Sequence, residues 1–572
     1  MVERRRCGQR RRTRALASAL AGAIALLALT SAATAAPQRA KVERPVRSVA
    51  PDAEIVKESY VRIYAPLPAS TPPHPPRCDW LGYLRFRHRD GPKAAKRADL
   101  IIAMMPGFLG GASDFDQLAR NTIRDLARRG RHAELWAIDR RANCLEDHTG
   151  VRAAARARDP RVAFDYYWRG GTAEGRRFAG FVTPTDARWL GQVGLERTLR
   201  DWYTVLRRGV PGQRRRARKV ICGGHSLGGP LTAAFASWDF DGDPRTRRDA
   251  GFRQCAGLVG LDTTLSVAGG DEGPSGGFAS LVDPAAAPYV SAPPFTPETI
   301  GIPSIFGVGG FFRPNGFELI RDLPHTTNID LSQRVLFSRD AAHFATGMPS
   351  IRDFEVTNLA AFAGILDDNS APQPLTFLRA SLGSISGGPL TDKNFPFPDP
   401  TLALPEDPEG PIYRWVPYRR VGRPVPIPLN DDGDPYTHRQ SEVTDVRQFA
   451  RTMFEAPADF VEQYFPTRIL VDVSAAEEGG FEELRYDGPA LRPALLLQAA
   501  DSDDNDNPDV GPARAGDKPN AFPASRELII PGYNHLDVAT AARIQNDGRR
   551  EEASTALARF VLRAVRPRRP AR

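Results

Sequence analysis

Apolar residues along this chain fall into two alternating patterns. Leu100 to Met105 is an unbroken apolar run closed by Pro106 and Gly107, and Ala133 to Ile138 is a second. Such short continuous runs predict strands buried on both faces. Between them Phe115, Leu118, Thr122 and Leu126 recur at helical spacing, with Ser113 as the expected N-cap and Gly130 as the stop. Leu195, Leu199, Trp202 and Leu206 mark another helix. Val220 to Gly223 then predicts a strand, Leu227 to Trp238 a helix rich in small residues, and Gly257 to Leu261 a further strand. Strand and helix in alternation are the units of a mostly parallel α/β sheet flanked by helices.

The rhythm stops near residue 265 and resumes near 490. The intervening sequence is rich in Gly, Pro, Phe and Asp, with scattered helical stretches such as Ile351 to Leu366. Ala494 to Ala499 and Glu527 to Ile530 then predict two closing strands, and Ala553, Leu557, Phe560 and Val561 a closing amphipathic helix. The late strands need the early ones to complete a core, so the middle of the chain reads as one large insertion. The expected organisation is a signal peptide at 1–35, a Pro-rich arm at 36–77, a first core segment at 78–265, a cap at 266–490, a second core segment at 491–565 and a basic tail at 566–572.

Composition refines this picture. Among 572 residues, 50 Gly and 51 Pro require many loops, while 41% hydrophobic residues exclude wholesale disorder. The formal charge of +9 resides at the ends: residues 1–35 hold seven Arg and one Glu, and the last ten residues hold five Arg. The body is close to neutral, which argues against a nucleic-acid-binding face. The basic stretch Arg4 to Arg14, the apolar run Ala15 to Leu29 and the small residues Ser31 to Ala36 read as an export signal, the run being short of the roughly 20 residues that span a bilayer. Cys7 precedes the apolar run and does not read as a lipidation site. No later run is long enough to span, so no stable membrane span is expected after cleavage. Of the remaining cysteines, Cys78, Cys144, Cys222 and Cys255, none forms a CxxC pair. An even count in an exported chain predicts disulfides of open pairing and no metal bound by cysteine.

The chemistry concentrates at Gly224-His225-Ser226-Leu227-Gly228, flanked by Gly223 and Gly229, between a predicted strand and a predicted helix. Small residues there permit the tight turn that exposes a serine hydroxyl above a sheet edge, over a helix N-terminus that favours developing negative charge. On these residues the chain resembles the α/β-hydrolase superfamily over about residues 80–265 and 490–565. The resemblance implies an oxyanion hole from the backbone N–H groups of Leu227 and, in Pro106-Gly107-Phe108-Leu109-Gly110-Gly111, of Phe108, with Leu109 the alternative. It implies a base after the last strand, which is His535 in Pro531-Gly532-Tyr533-Asn534-His535-Leu536-Asp537. His225 adjoins the serine and is expected to be structural, while His325, His343 and His438 belong to the insertion. For the acid, Asp501 follows Ala494 to Ala499, where the superfamily acid usually sits. Asp503 stands beside it, and Asp262 matches the place used by some superfamily lipases.

The resemblance implies a Ser-His-Asp hydrolase acting through an acyl-enzyme on a small-molecule or lipid ester, with no redox or organic cofactor. An exported peptidase or amidase of the same fold and a non-catalytic envelope-binding protein are the alternatives. The aromatic residues Phe306, Phe311, Phe312, Phe317 and Tyr413 of the insertion suit either an apolar substrate pocket or the cap's own core. The runs Asp501, Asp503, Asn505, Asn507, Asp509 and Asp239, Asp241, Asp243 alternate oxygen ligands as Ca2+ loops do, without the EF-hand glycine and closing Glu. Solvated acidic loops are the simpler expectation, with Ca2+ as the alternative.

Overall fold

A computed structural model describes residues 40–267, 283–372, 375–502 and 522–565. The predicted signal and basic tail, and Asp503 to Asp509, lie outside the described residues. Eight of the nine strands of the central sheet are β1 (Val56–Tyr64), β2 (Trp80–His88), β3 (Leu100–Met105), β4 (Ala133–Asp139), β5 (Val220–His225), β6 (Gly257–Leu261), β7 (Ala494–Ala499) and β8 (Arg526–Ile530). They lie in the order β1-β2-β4-β3-β5-β6-β7-β8. β2 runs antiparallel to both of its neighbours, and every later pairing is parallel. A short strand at Lys41–Pro45 lies across a boundary between contact units, the second of which, Glu43–Arg572, contains all the rest.

The two faces of the sheet follow from side-chain alternation. Ile101, Ala103, Met105, Cys222 and Leu258 point to one face, and Leu100, Ile102, Met104, Ile221 and Val259 to the other. The second face is covered by helices α1 (Asp116–Arg128), through Leu118, Ile123 and Leu126, and α4 (Glu552–Ala564), through Leu557, Phe560 and Val561. The first is covered by α2 (Leu195–Gly209) and α3 (Gly228–Ser237), which bury Leu199, Trp202, Leu206, Leu231 and Phe235.

Several local expectations change. The segment expected to be a Pro-rich arm contains β1, nine residues paired along their full length with β2. Ser113 does not cap α1: the helix begins at Asp116 after a 3-10 turn over Ala112–Phe115, and the Ser113 hydroxyl donates to Ala458 O at 2.6 Å. Gly130 does follow the helix end, with φ +70. The insertion lies between β6 and β7, but it is no separate body. Its residues Ile305, Phe306, Phe362 and Phe449 are continuous with the core over α2 and α3. Disulfides join Cys78 to Cys144 and Cys222 to Cys255. Among the described residues, no helix is long and apolar enough to cross a membrane.

Candidate active site

Between β3 and β5 the chain order reverses direction across the sheet, and the loops at the carboxyl ends of these strands open a crevice where α/β sheets hold ligands. The β5 loop carries Ser226. Its φ of +53 is left-handed, a costly conformation for a residue with a side chain. Neighbouring contacts hold it there. The Ser226 N–H donates to Leu261 O at 3.0 Å, and Ser226 O accepts from Gly229 N and from Thr263 Oγ1, both at 2.7 Å. The flanking glycines are dictated by space: a Cβ on Gly224 would lie 2.0 Å from Gly228 O, and one on Gly228 2.2 Å from Met105 O. Glycine is therefore required at both flanking positions of the turn. Sharp strand-to-helix geometry at the fifth of these eight strands, with the order 1-2-4-3-5-6-7-8, decides the architecture.

This is the α/β-hydrolase fold.

His535 stands in the loop after β8 and is 3% exposed. It lines the same cavity as Ser226. Its Nδ1 is 2.6 Å from Asp262 Oδ2. The carboxylate that meets the imidazole is therefore Asp262 and not Asp501. Asp262 directly follows β6, the neighbour of the strand that carries Ser226, and is held with φ +43 by its N–H to Leu497 O at 2.6 Å. Its other oxygen accepts from Ala499 N at 2.8 Å. Burial raises the Asp262 pKa, but the hydrogen bond and charge of His535 and the Ala499 N–H outweigh it, leaving the carboxyl below its ordinary range. Asp501 lies one strand further out. It is exposed, and its backbone N–H is tied to Tyr533 O at 3.0 Å.

His225 is structural, as expected, and its ring also lines the Ser226 cavity. Its Nε2 lies 2.9 Å from the backbone O of His535, and the two rings are 4.5 Å apart. Burial, then the neighbouring His535, pushes its pKa down to about 3. A neutral ring donates one N–H, so His225 pins the His535 loop from beneath. Its position next to Ser226 was visible in the sequence; the direction of its ring was not. His325 and His438 are exposed, His343 is bonded to Pro349 O at 2.6 Å, and none of the three lines the Ser226 cavity.

The loop after β3 faces Ser226 from the other side. A Cβ on Gly107 would come within 2.8 Å of Ser226 Cβ, and Leu109 holds a left-handed φ of +52. The buried guanidinium of Arg140 gathers this loop, donating to the backbone O of Pro106, to Gly107 O at 2.8 Å and to Gly110 O at 2.8 Å. Glu462 of the insertion, fully buried, accepts from Arg140 at 2.7 Å. The insertion also runs alongside the loop as a strand would: Glu462 N donates to Leu109 O and Gly111 N to Phe460 O. Both expected oxyanion residues, Phe108 and Leu227, thus border the serine, Phe108 in the gathered loop and Leu227 at the start of α3. Sequence patterning gave no sign of Arg140 or Glu462, because a buried charge pair leaves no periodic signal.

The cavity over Ser226 is small, about 10 Å³, and is closed by Phe377, Leu378, Phe460 and Leu536. Leu378 also lines a second cavity of about 100 Å³ within the insertion, walled by Phe295, Ile300, Phe306, Ile329, Leu336 and other apolar side chains. Of the aromatic candidates, Phe306 faces this groove. Phe311 and Phe312 pack on Phe454, Phe317 lies under Arg321, and the Tyr413 hydroxyl is bonded to Pro389 O at 2.9 Å. A larger cavity of about 290 Å³, lined by Arg339, Asp340, His343 and Glu406, shares no lining residue with the cavity over Ser226. Of the Ca2+-like runs, Asp239 and Asp241 bring carboxylate oxygens together with Asp249, while Asp243 pairs with Arg245 at 2.8 Å. Of the other run only Asp501 belongs to the described residues.

No protein-family model and no curated protein matches this chain. Solved structures similar to it include a thermophilic esterase from Thermogutta terrifontis, at 11% identity over 89% of this chain and 99% of that one, with a TM-score of 0.29. Epoxide hydrolase I from potato is 11% identical over 84% and 96%, with a TM-score of 0.34. A lipase in an open form is 12% identical over 92% and 100%, with a TM-score of 0.28. The fold assignment rests on the strand order and the Ser226 turn, and the chemistry on the side chains alone.

Proposed function

We propose that this chain is an exported serine hydrolase that cleaves carboxylic esters bearing an apolar acyl group. One observation carries the proposal: a strained serine and a buried imidazole, the latter bonded to a charged carboxylate, line one cavity at the switch point of the sheet. Asp262 stays ionised and holds the Nδ1–H of His535, leaving Nε2 to take the Ser226 proton. The hydroxyl oxygen attacks the ester carbonyl, and the oxyanion is met by the N–H groups of Leu227 and Phe108, each such donor being worth about 3 kcal/mol of barrier. His535 returns the proton to the departing alcohol. Water then attacks the acyl-enzyme with the same histidine as base, and the acid leaves. Every step uses protein groups and water.

Preference for an apolar acyl group is supported by Leu378, shared between the nucleophile's cavity and the apolar groove. Export is supported by the basic and apolar character of residues 1–35 together with two disulfides. The test is labelling by a fluorophosphonate alongside hydrolysis of nitrophenyl butyrate and an aminoacyl anilide. Labelling that vanishes in Ser226→Ala, with ester turnover far above anilide turnover, is expected. Absent labelling in the folded protein would dismiss serine chemistry, and faster anilide cleavage would favour an amidase.

A further inference from the structure

Glu146, His148 and Asp459 offer one ligand atom each within 4.8 Å of one another. Glu146 and His148 belong to the core loop after β4, and Asp459 to the insertion. His148 stands between the two acids, with Nδ1 3.1 Å from Asp459 Oδ1 and Nε2 3.5 Å from Glu146 Oε2. Glu146 is 8% exposed and Asp459 4%, and the buried oxygens Glu146 Oε2 and Asp459 Oδ2 meet no donor beyond His148 and each other's carboxyl group. Burying two carboxylates against a single imidazole is costly unless a further positive charge joins them.

A comparison within the molecule sharpens the point. Glu58, Asp116 and Glu455 form a similar acidic cluster, but Arg120 and Arg451 lie among them and supply the positive charge. Around Glu146 and Asp459, among the described residues, no Arg or Lys is within ion-pair distance of either carboxylate. A nitrogen and two carboxylate oxygens are the donor set of a divalent transition ion such as Zn2+, with a fourth position left for water. The 16% exposure of the His148 side chain provides an entry path.

We propose that Glu146, His148 and Asp459 bind a Zn2+-type cation that fastens the insertion to the core beside the oxyanion loop. The location gives the ion a mechanical purpose. Asp459 O accepts from Ser113 N at 3.3 Å, Ala458 O from the Ser113 hydroxyl, and Phe460 O from Gly111 N, so the strap that would hold the metal is the strap that lines the loop of Phe108. Gln463 N, further along the strap, donates to Glu146 Oε1 at 2.8 Å.

The test reads metal directly and does not depend on the esterase proposal. Full-length protein stripped with dipicolinate, reloaded with ZnSO4 and desalted should retain about one zinc per chain by elemental mass spectrometry. His148→Ala and Asp459→Asn should each retain less than about a tenth of that. Zinc should raise the melting temperature of the natural chain by roughly 5 °C and leave that of the variants unmoved. If a variant fails to fold, titration of the natural chain against a chromogenic zinc indicator decides the matter, saturable one-to-one binding being expected. Zinc retention equal in the natural chain and His148→Ala, or no saturable binding, would overturn the proposal and leave the two acids sharing a proton. A melting shift with Ca2+ but none with zinc would overturn it too.

Discussion

Asp262 owes its place to a single backbone torsion. With φ +43 the chain turns its side chain from the end of β6 toward the imidazole, whereas Asp501, better placed by position in sequence, faces solvent one strand away. Asp262→Asn should therefore lower kcat by about 1,000-fold or more, through loss of the correct imidazole tautomer, while Asp501→Asn should leave it within about twofold. Steady-state ester hydrolysis by both variants checks this. Gly107→Ala would press its methyl against Ser226 Cβ and His225 O, at 2.8 and 3.1 Å, and displace the serine. A loss of about 100-fold in kcat with little change in melting temperature is expected. That Ser226, His535 and the Phe108 loop meet was legible because each sits in a short motif beside a strand end. The carboxylate beside His535 was left open because it depends on which strand end leans toward the histidine, and that is set by the pairing of β6 with β7, whose partners Val259 and Leu495 lie far apart in the chain.

Among elements, the parallel strands and their helices were readable within a residue or two, since strands buried on both faces are continuous apolar runs. β6 and β7 fall on their expected bounds. β1 and β2 were missed for an equally physical reason. They bury Glu58 and Arg85, neutralised by Arg120 and Glu134, and so break the apolar alternation that announces a strand. The same kind of buried ion pair governs the loop after β3. Arg140 reaches three of its carbonyls with a planar fork that lysine cannot imitate. Arg140→Lys should keep the fold but loosen the oxyanion loop, lowering kcat by about 10- to 100-fold with KM little changed, measurable with a short-chain nitrophenyl ester.

For the molecule as a whole, buried acids set the response to pH. Burial raises Asp368 to about 7, helped by the charge of Asp537, and raises Asp537 to about 6 and Glu551 to about 7 against the hydrogen bonds they accept, from ordinary values of 3.8 for Asp and 4.5 for Glu. Between those values the folded chain holds protons that the unfolded chain has released. Stability from these groups is then complete below about pH 4 and lost as pH rises through 6 to 7. Asp116, raised by burial but brought down to about 2 by Arg120 and Arg451, has the opposite sign and acts only in stronger acid. The melting temperature should fall by several degrees from pH 5 to pH 8 at constant ionic strength, and a rise by scanning calorimetry would contradict this account. Reduction should cost more: the Cys78–Cys144 bridge closes 66 residues, worth about 4 kcal/mol of chain entropy, so Cys78→Ser with Cys144→Ser should lower stability by about that amount in denaturant titration.

Glu462 reaching through the insertion to Arg140 has one last implication, for anyone who would recombine this scaffold. Caps on such sheets invite exchange as interchangeable modules, each swapped for another to retune selectivity. Here excision would also strip the guanidinium of its counter-ion and the nucleophile's opposing loop of its backbone neighbours. Chimeras that replace the cap while ignoring residues 458–463 should yield soluble sheets that have lost their chemistry, and those that retain this strap should keep it.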